Sequence, residues 1–153
     1  MKRWIDNPAI FSSLLESEDC ISLRIQGNSM WPLLHPGECV SVRKHAILRR
    51  GECYLFRYAG SLLLHRLAEK TTDTCQFCGD NGSLIETVPI HQVMGKIDDL
   101  RSPVFHFFVT CLNRLFVFFN RFNSTTAYLG NSIRRMLIRF LSEIDILLYE
   151  RKP

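Results

Sequence analysis

The sequence has no run of the roughly 18 uncharged apolar residues that a spanning helix needs, although 46% of its 153 residues are hydrophobic. No secretory leader is expected at its start either: "MKRWIDNPAIFSSLLESED" begins basic but meets Asp6, Pro8 and Glu16 before an apolar core forms. These two absences make synthesis and retention in the cytoplasm the expectation. Paired cysteine motifs are missing too. Of six cysteines only Cys75 and Cys78 are closely spaced, in "CQFC", and no second Cys-x-x-Cys supplies the other half of a zinc site. Without a secretion signal, free thiols are the expected state, with a structural zinc or redox pair at Cys75 and Cys78 as the alternative. No cofactor is expected. There is no internal repeat, no low-complexity stretch, and no bias toward disordered or collagen-like composition.

What is present is enough chain for about one domain with its own core. From Ile21 to Ile97 the pattern is one of short strands. "ISLRI", "CVSVR" (Cys39–Arg43) and "CYLFRY" (Cys53–Tyr58) alternate apolar and polar residues. Ala59-Gly60, between "CYLFRY" and "SLLLHRL", reads as a hairpin turn in which Gly60 takes positive φ. "HQVMGKI" (His91–Ile97) reads as a closing strand. Further turns fall at Pro36-Gly37, Arg50-Gly51 and Gly79–Gly82. The expected fold is mainly β, a coiled β-sheet, followed by two C-terminal α-helices. Its expected divisions are an N-terminal extension (1–20), a β domain (21–100) and a helical segment (101–153).

Charge divides along the same line. Residues 1–100 carry 11 Lys/Arg against 12 Asp/Glu, whereas residues 101–153 carry 8 against 3. In the first expected helix, Val104–Phe122, the residues His106, Thr110, Asn113/Arg114 and Asn120/Arg121 form a narrow polar stripe on a Phe-rich background. The second, "NSIRRMLIRFLSEIDILLYE", is expected to start at an Asn131 or Ser132 cap, with "NSTTAYLGN" as the loop before it. Two readings of this tail stand. Its helices pack on each other, the β domain or a partner, or they lie in a membrane headgroup layer as a peripheral contact. Nucleic acid is not an expected partner, because the arginines of the second helix interleave with Met, Leu and Phe.

The densest turn chemistry is "GNSMWPLLHPGE", Gly27–Glu38. A serine hydroxyl is a poor nucleophile until a base takes its proton and N–H groups face the developing oxyanion. Gly27 lets the backbone tighten around Ser29, and Pro32 and Pro36 stiffen the loop. Asn28, Met30 and Trp31 flank the serine and are the expected substrate contacts. For the base, His65 lies within the apolar strand "LLLHRL", a place that also suits a core histidine bonded to backbone. His35, His45, His91 and His106 do not sit on a strand that holds them rigid beside the loop. A histidine base needs an orienting carboxylate, and "CGDNGSLIETVP" offers Asp80 and Glu86.

In this order, "GNSMWPLLHPGE", "LLLHRL", "GDN" and "VMGKI" resemble the signal-peptidase/LexA-type serine peptidase superfamily. Its members carry a Gly-x-Ser-Met-x-Pro-x-Leu…Pro-Gly-Asp loop, a strand with Lys-Arg or His-Arg, a Gly-Asp-Asn turn, and a final Val-x-Gly-Lys/Arg strand. The resemblance covers roughly Ile21–Ile97. It implies Ser29 as nucleophile and His65 as general base, on a coiled β-sheet peptidase domain. Leader peptidases and LexA-like repressors use lysine as base; endoplasmic-reticulum and archaeal signal peptidases use histidine followed by arginine, as in His65-Arg66. In those enzymes an aspartate six residues beyond the Asp of Gly-Asp-Asn completes the triad. That position is Glu86 here, so the resemblance leaves the orienting role to Glu86 or Asp80. Other departures are Glu38 for the usual aspartate, and Gly27 where many signal peptidases place a hydroxyl residue. The membrane anchor of leader peptidases and the DNA-binding domain of repressors are expected to be absent. The resulting expectation is a serine endopeptidase that cleaves a leader or signal segment of a precursor. A non-catalytic peptide- or membrane-binding adaptor, or a LexA-type self-cleaving regulator, is the alternative.

Overall fold

The alternating stretches form seven strands: β1 (Cys20–Arg24), β2 (Cys39–Arg43), β3 (Cys53–Tyr58), β4 (Ser61–Lys70), β5 (Thr74–Cys78), β6 (Ile85–Pro89) and β7 (Val93–Ile97). In the computed structural model, which describes residues 8–44, 47–82, 84–97, 103–120 and 124–149, they make one antiparallel sheet of order β1-β2-β7-β3-β4-β5-β6. Three helices complete the architecture: α1 (Pro8–Ser17), α2 (Pro103–Asn120) and α3 (Ser124–Tyr149). The fold is mainly β with two C-terminal helices. The β3–β4 hairpin turns on Ala59 and Gly60, both at positive φ (47° and 81°), the pair of values that a two-residue turn matching strand twist demands.

β3 departs from simple alternation. Its residues Cys53, Tyr54, Leu55 and Phe56 are all buried, because the strand is covered on both faces. Cys53 and Leu55 join a cluster with Phe11, Leu15, Val42 and the helical Phe105, Val109 and Ile138. Tyr54 and Phe56 belong to a second cluster with Leu67, Phe77 and Val88, in which Phe56 and Phe77 stack at 4.1 Å. Phe11 and Leu15, four residues apart on α1, explain why the stretch before the first strand folds as a helix: it closes one end of the first cluster.

Two expectations about the tail are corrected. "NSTTAYLGN" is not a loop from Ser124 onward; α3 starts there and runs through Gly130, a residue that costs a helix only about 1 kcal/mol. Asn131 accordingly is no cap. It lies inside the helix, buried, and accepts hydrogen bonds from Arg134.

The first part of the polar stripe of α2, His106, Thr110 and Asn113, points inward, whereas Arg114 and Asn120 stay exposed. His106 meets Arg66, Asn113 meets Arg134, and Phe105, Val109, Phe116 and Val117 are buried beside them. Phe107, Phe108, Leu115, Phe118 and Phe119 are left exposed. The inversion has a physical cause, since buried guanidinium groups under the helix need polar partners more than apolar side chains need shelter. Arg121 and His45 lie outside the described residues. Among the described residues no helix is long and apolar enough to cross a membrane.

Candidate active site

On β4, successive side chains leave opposite faces of the sheet, so His65 and Arg66 serve two different sites. Both are buried, at 6% and 0% exposure. His65 faces the Gly27–Glu38 loop, and its Nε2 lies 2.9 Å from Ser29 Oγ. On the other side of the ring, Nδ1 lies 3.0 Å from Glu86 Oε2. With Nδ1–H donating to the carboxylate, Nε2 is left as an acceptor, the tautomer a general base requires. The edge of the ring meets Phe56, with centroids 6.0 Å apart, which walls it from the second core cluster.

Glu86 reaches His65 from a strand that is not its neighbour. β5 stands between β4 and β6, a separation of about 10 Å between the outer strands. The contact is made beyond the end of β5, where Cys78 gives way to the Gly79–Gly82 turn. Of the two carboxylates left open by the sequence, Glu86 meets the histidine and Asp80 does not. Asp80 pairs with Arg66 through two bonds, Nε to Oδ1 at 3.0 Å and Nη2 to Oδ2 at 2.8 Å, both side chains fully buried. The remaining Arg66 nitrogen donates to the Gly51 carbonyl and to His106 Nδ1.

The turn that carries Asp80 also holds the serine loop. Asn81 N–H donates to the Ser29 carbonyl at 2.7 Å, and Asn81 Nδ2 to the Asn28 carbonyl at 3.4 Å. Gly79 makes this approach possible: a Cβ there would stand 2.8 Å from the Ser29 carbonyl oxygen and 3.2 Å from His65 Nε2. Gly79→Ala is therefore expected to push the serine off the histidine and slow modification of Ser29 by a fluorophosphonate about a hundredfold, the order that a displacement of about 1 Å costs. Intact-mass time courses check this, and an unchanged rate would show that the loop gives way freely. Ser29 N–H has no hydrogen-bond partner among the described residues, which leaves it available to an oxyanion.

Beside Ser29 opens a cleft of about 380 Å³ between the β1 end of the sheet and the start of β4. Leu23, Ile25, Met30, Leu55, Leu62 and Leu64 supply its apolar lining, with Ser29 and His65 at one end. The size and the mix of apolar wall and few polar groups suit a short stretch of peptide. Met30 is thus at the cleft, though 98% of it is covered as part of the core beneath. Trp31 and Asn28 do not line it. The indole of Trp31 faces α3, with the Arg139 guanidinium 4.4 Å over its ring, and Asn28 is occupied in the turn, its carbonyl accepting from Trp31 N–H.

The other sequence candidates fall elsewhere. His35 is exposed in the loop, and its backbone N–H donates to Glu38 Oε2 at 2.6 Å, so Glu38 closes the loop on itself. His91 is exposed in the 3-10 turn before β7. Lys96 of "VMGKI" pairs with Glu52 at 2.7 Å. Burial pulls the Glu52 carboxyl up, but the bonds from Lys96 and Tyr54 outweigh it and hold the group below its ordinary value. Cys75 and Cys78, three apart on β5, project into different core clusters, so the strand does not present them as a metal or redox pair. Burial pushes the Cys78 thiol up to about 12, which keeps it protonated and unreactive.

Sequence reasoning passed over Gly79, Asn81 and Arg134 as site residues. The first two were inside the Gly-Asp-Asn block but had no role until the serine loop was seen to rest on them. For Arg134 the signal was the interleaving of α3 arginines with Met, Leu and Phe. A family model for Peptidase S24-like proteins matches residues 5–97, which span every strand and the groups around Ser29. Among curated proteins no match is found.

Proposed function

Because the chain belongs to the S24-like peptidase family, we propose that it is a serine endopeptidase of signal-peptidase type, cutting a leader or signal segment from a precursor protein. The observation that carries this reading is the continuous array from Ser29 Oγ through His65 to Glu86, with contacts of 2.9 and 3.0 Å, at the end of an apolar cleft.

The proposed mechanism needs no group beyond the chain's own. An extended peptide pairs along the strand edge beside the cleft and places its scissile carbonyl over Ser29. His65 Nε2 takes the hydroxyl proton as Oγ attacks, and Glu86 stabilises the imidazolium through Nδ1–H. Ser29 N–H donates to the oxyanion. Collapse of the tetrahedral intermediate moves the proton from His65 to the leaving amine, and water hydrolyses the acyl-enzyme by the same route. Arg66 and Asp80, on the other side of the strand, set the frame and touch none of the reacting atoms.

Two partners follow: the precursor segment in the cleft and, on the outer stripe of α2, a membrane surface. α2 carries no acidic residue, and its exposed face is almost wholly apolar, a pattern suited to the boundary of a headgroup layer, with Arg114 at its edge paired to Glu69 at 2.7 Å.

The test is mass spectrometry of an unbiased peptide library incubated with the wild-type chain and with Ser29→Ala, in the presence and absence of lipid. Cuts lost in Ser29→Ala are the expected result, and their flanking residues identify the substrate class. Absence of any serine-dependent cut overturns the peptidase reading in favour of the adaptor. Cleavage confined to the protein itself replaces it with the self-cleaving regulator.

A further inference from the structure

α3 lies outside the residues matched by the family model, yet it reaches the candidate site. Arg134 is 2% exposed. Its Nη1 donates to the Gly79 carbonyl at 3.1 Å, to Cys78 Sγ at 3.0 Å and to Asn113 Oδ1 at 2.5 Å. Nη2 donates to the Gly82 carbonyl and to Asn131 Oδ1, and Nε also meets Asn131. The guanidinium plane lies over Phe116, 4.5 Å from the ring centre. None of these acceptors is a carboxylate. A buried cation costs several kcal/mol unless it is matched, and this one is matched by carbonyl and amide dipoles and an aromatic face.

The carbonyls of Gly79 and Gly82 bound the turn that presents Asn81 N–H to the Ser29 carbonyl. Arg134 therefore grips one side of the turn while the serine loop rests on the other. The same helix reaches that loop directly, through Arg139 stacked on Trp31 and Ile138 packed in the cluster that holds Met30 and Leu33. We propose that Arg134 is a positioning residue for the Ser29–His65 pair, so that the reactivity of the serine depends on a C-terminal helix the peptidase strands do not include. The proposal rests on the peptidase reading above for its chemical consequence. Its physical core, the coupling of α3 to the turn, stands apart from that reading.

The experiment compares wild type, Arg134→Lys and Arg134→Ala by three readouts: thermal unfolding, fluorophosphonate modification of Ser29, and amide hydrogen exchange at Asn81. Lysine keeps a charge but not the fork that reaches both carbonyls. Both variants are expected to lose about a hundredfold in modification rate with Asn81 exchanging at least tenfold faster. Guanidinium chloride at tens of millimolar, too dilute to denature, is expected to restore much of the rate to Arg134→Ala, where ammonium does not. Arg134→Lys serves if the alanine variant fails to fold. Folded variants that react at the wild-type rate with Asn81 still protected overturn the proposal, as does a loss of rate that merely follows the loss of folded protein. Should wild type itself resist the probe while Asn81 exchange quickens in the variants, the coupling holds and the peptidase reading alone falls.

Discussion

His65→Ala is expected to slow acylation of Ser29 by at least about a thousandfold, the scale on which removal of a catalytic base acts in serine hydrolases. The hydroxyl 2.9 Å from Nε2 then keeps its proton, and no other described histidine is placed to take it. Glu86→Gln is expected to give a loss of similar size by another route. The glutamine amide can donate to Nδ1, which favours the tautomer with its proton on Nε2 and turns the acceptor into a donor. Neither variant should unfold the domain, since each removes contacts at the edge of the cleft and leaves the core clusters intact. Intact-mass measurement of fluorophosphonate uptake reads the rate, and thermal unfolding reads the fold. Uptake by His65→Ala at the wild-type rate would remove the histidine from the mechanism.

Asp80→Asn is expected to do the opposite, taking stability instead of chemistry. Its carboxylate is the countercharge of Arg66, and both side chains are wholly buried. Removing one member of such a pair leaves an unmatched charge at a cost of about 3–5 kcal/mol. For a chain of this size that amounts to a fall of about 10 °C or more in melting temperature. Urea unfolding should show the midpoint falling with an unchanged slope. A change of less than about 1 kcal/mol would mean that the other contacts of Arg66, Gly51 and His106 among them, satisfy the guanidinium without the carboxylate. The two carboxylates, six residues apart in one short stretch, thus have separable signatures: Glu86 in the rate, Asp80 in the melt.

That Ser29 and His65 would meet was legible, because tight-turn residues and a histidine in an apolar strand are local patterns, and four such blocks in a fixed order are rarely accidental. The choice between Asp80 and Glu86 was not legible. It depends on strand order, since only the placement of β5 between β4 and β6 brings Glu86 past the end of a strand to the ring. Most strand stretches were plain from alternation, but in β3 the run Cys53–Phe56 is apolar at four successive positions, the mark of a strand covered on both faces, and reading it as alternating missed that. α2 was read correctly as a helix with one polar stripe, and its direction was out of reach. Amphipathic reasoning turns polar residues to water, and here Arg66 and Arg134 turn them inward. The contact of Trp31 with Arg139 was out of reach for a related reason: nothing near it in the sequence announces the arginine of α3 that covers it.

The grip of Arg134 on the Gly79 carbonyl spans 55 residues of chain. Protein synthesis proceeds at about 5–20 residues per second, so Ser29, His65 and Glu86 all leave the ribosome before Arg134, and Gly79 precedes it by about 3–11 seconds. The turn under the Ser29 loop is thus made well before its brace, and in a nascent chain the two are joined only once α3 has followed.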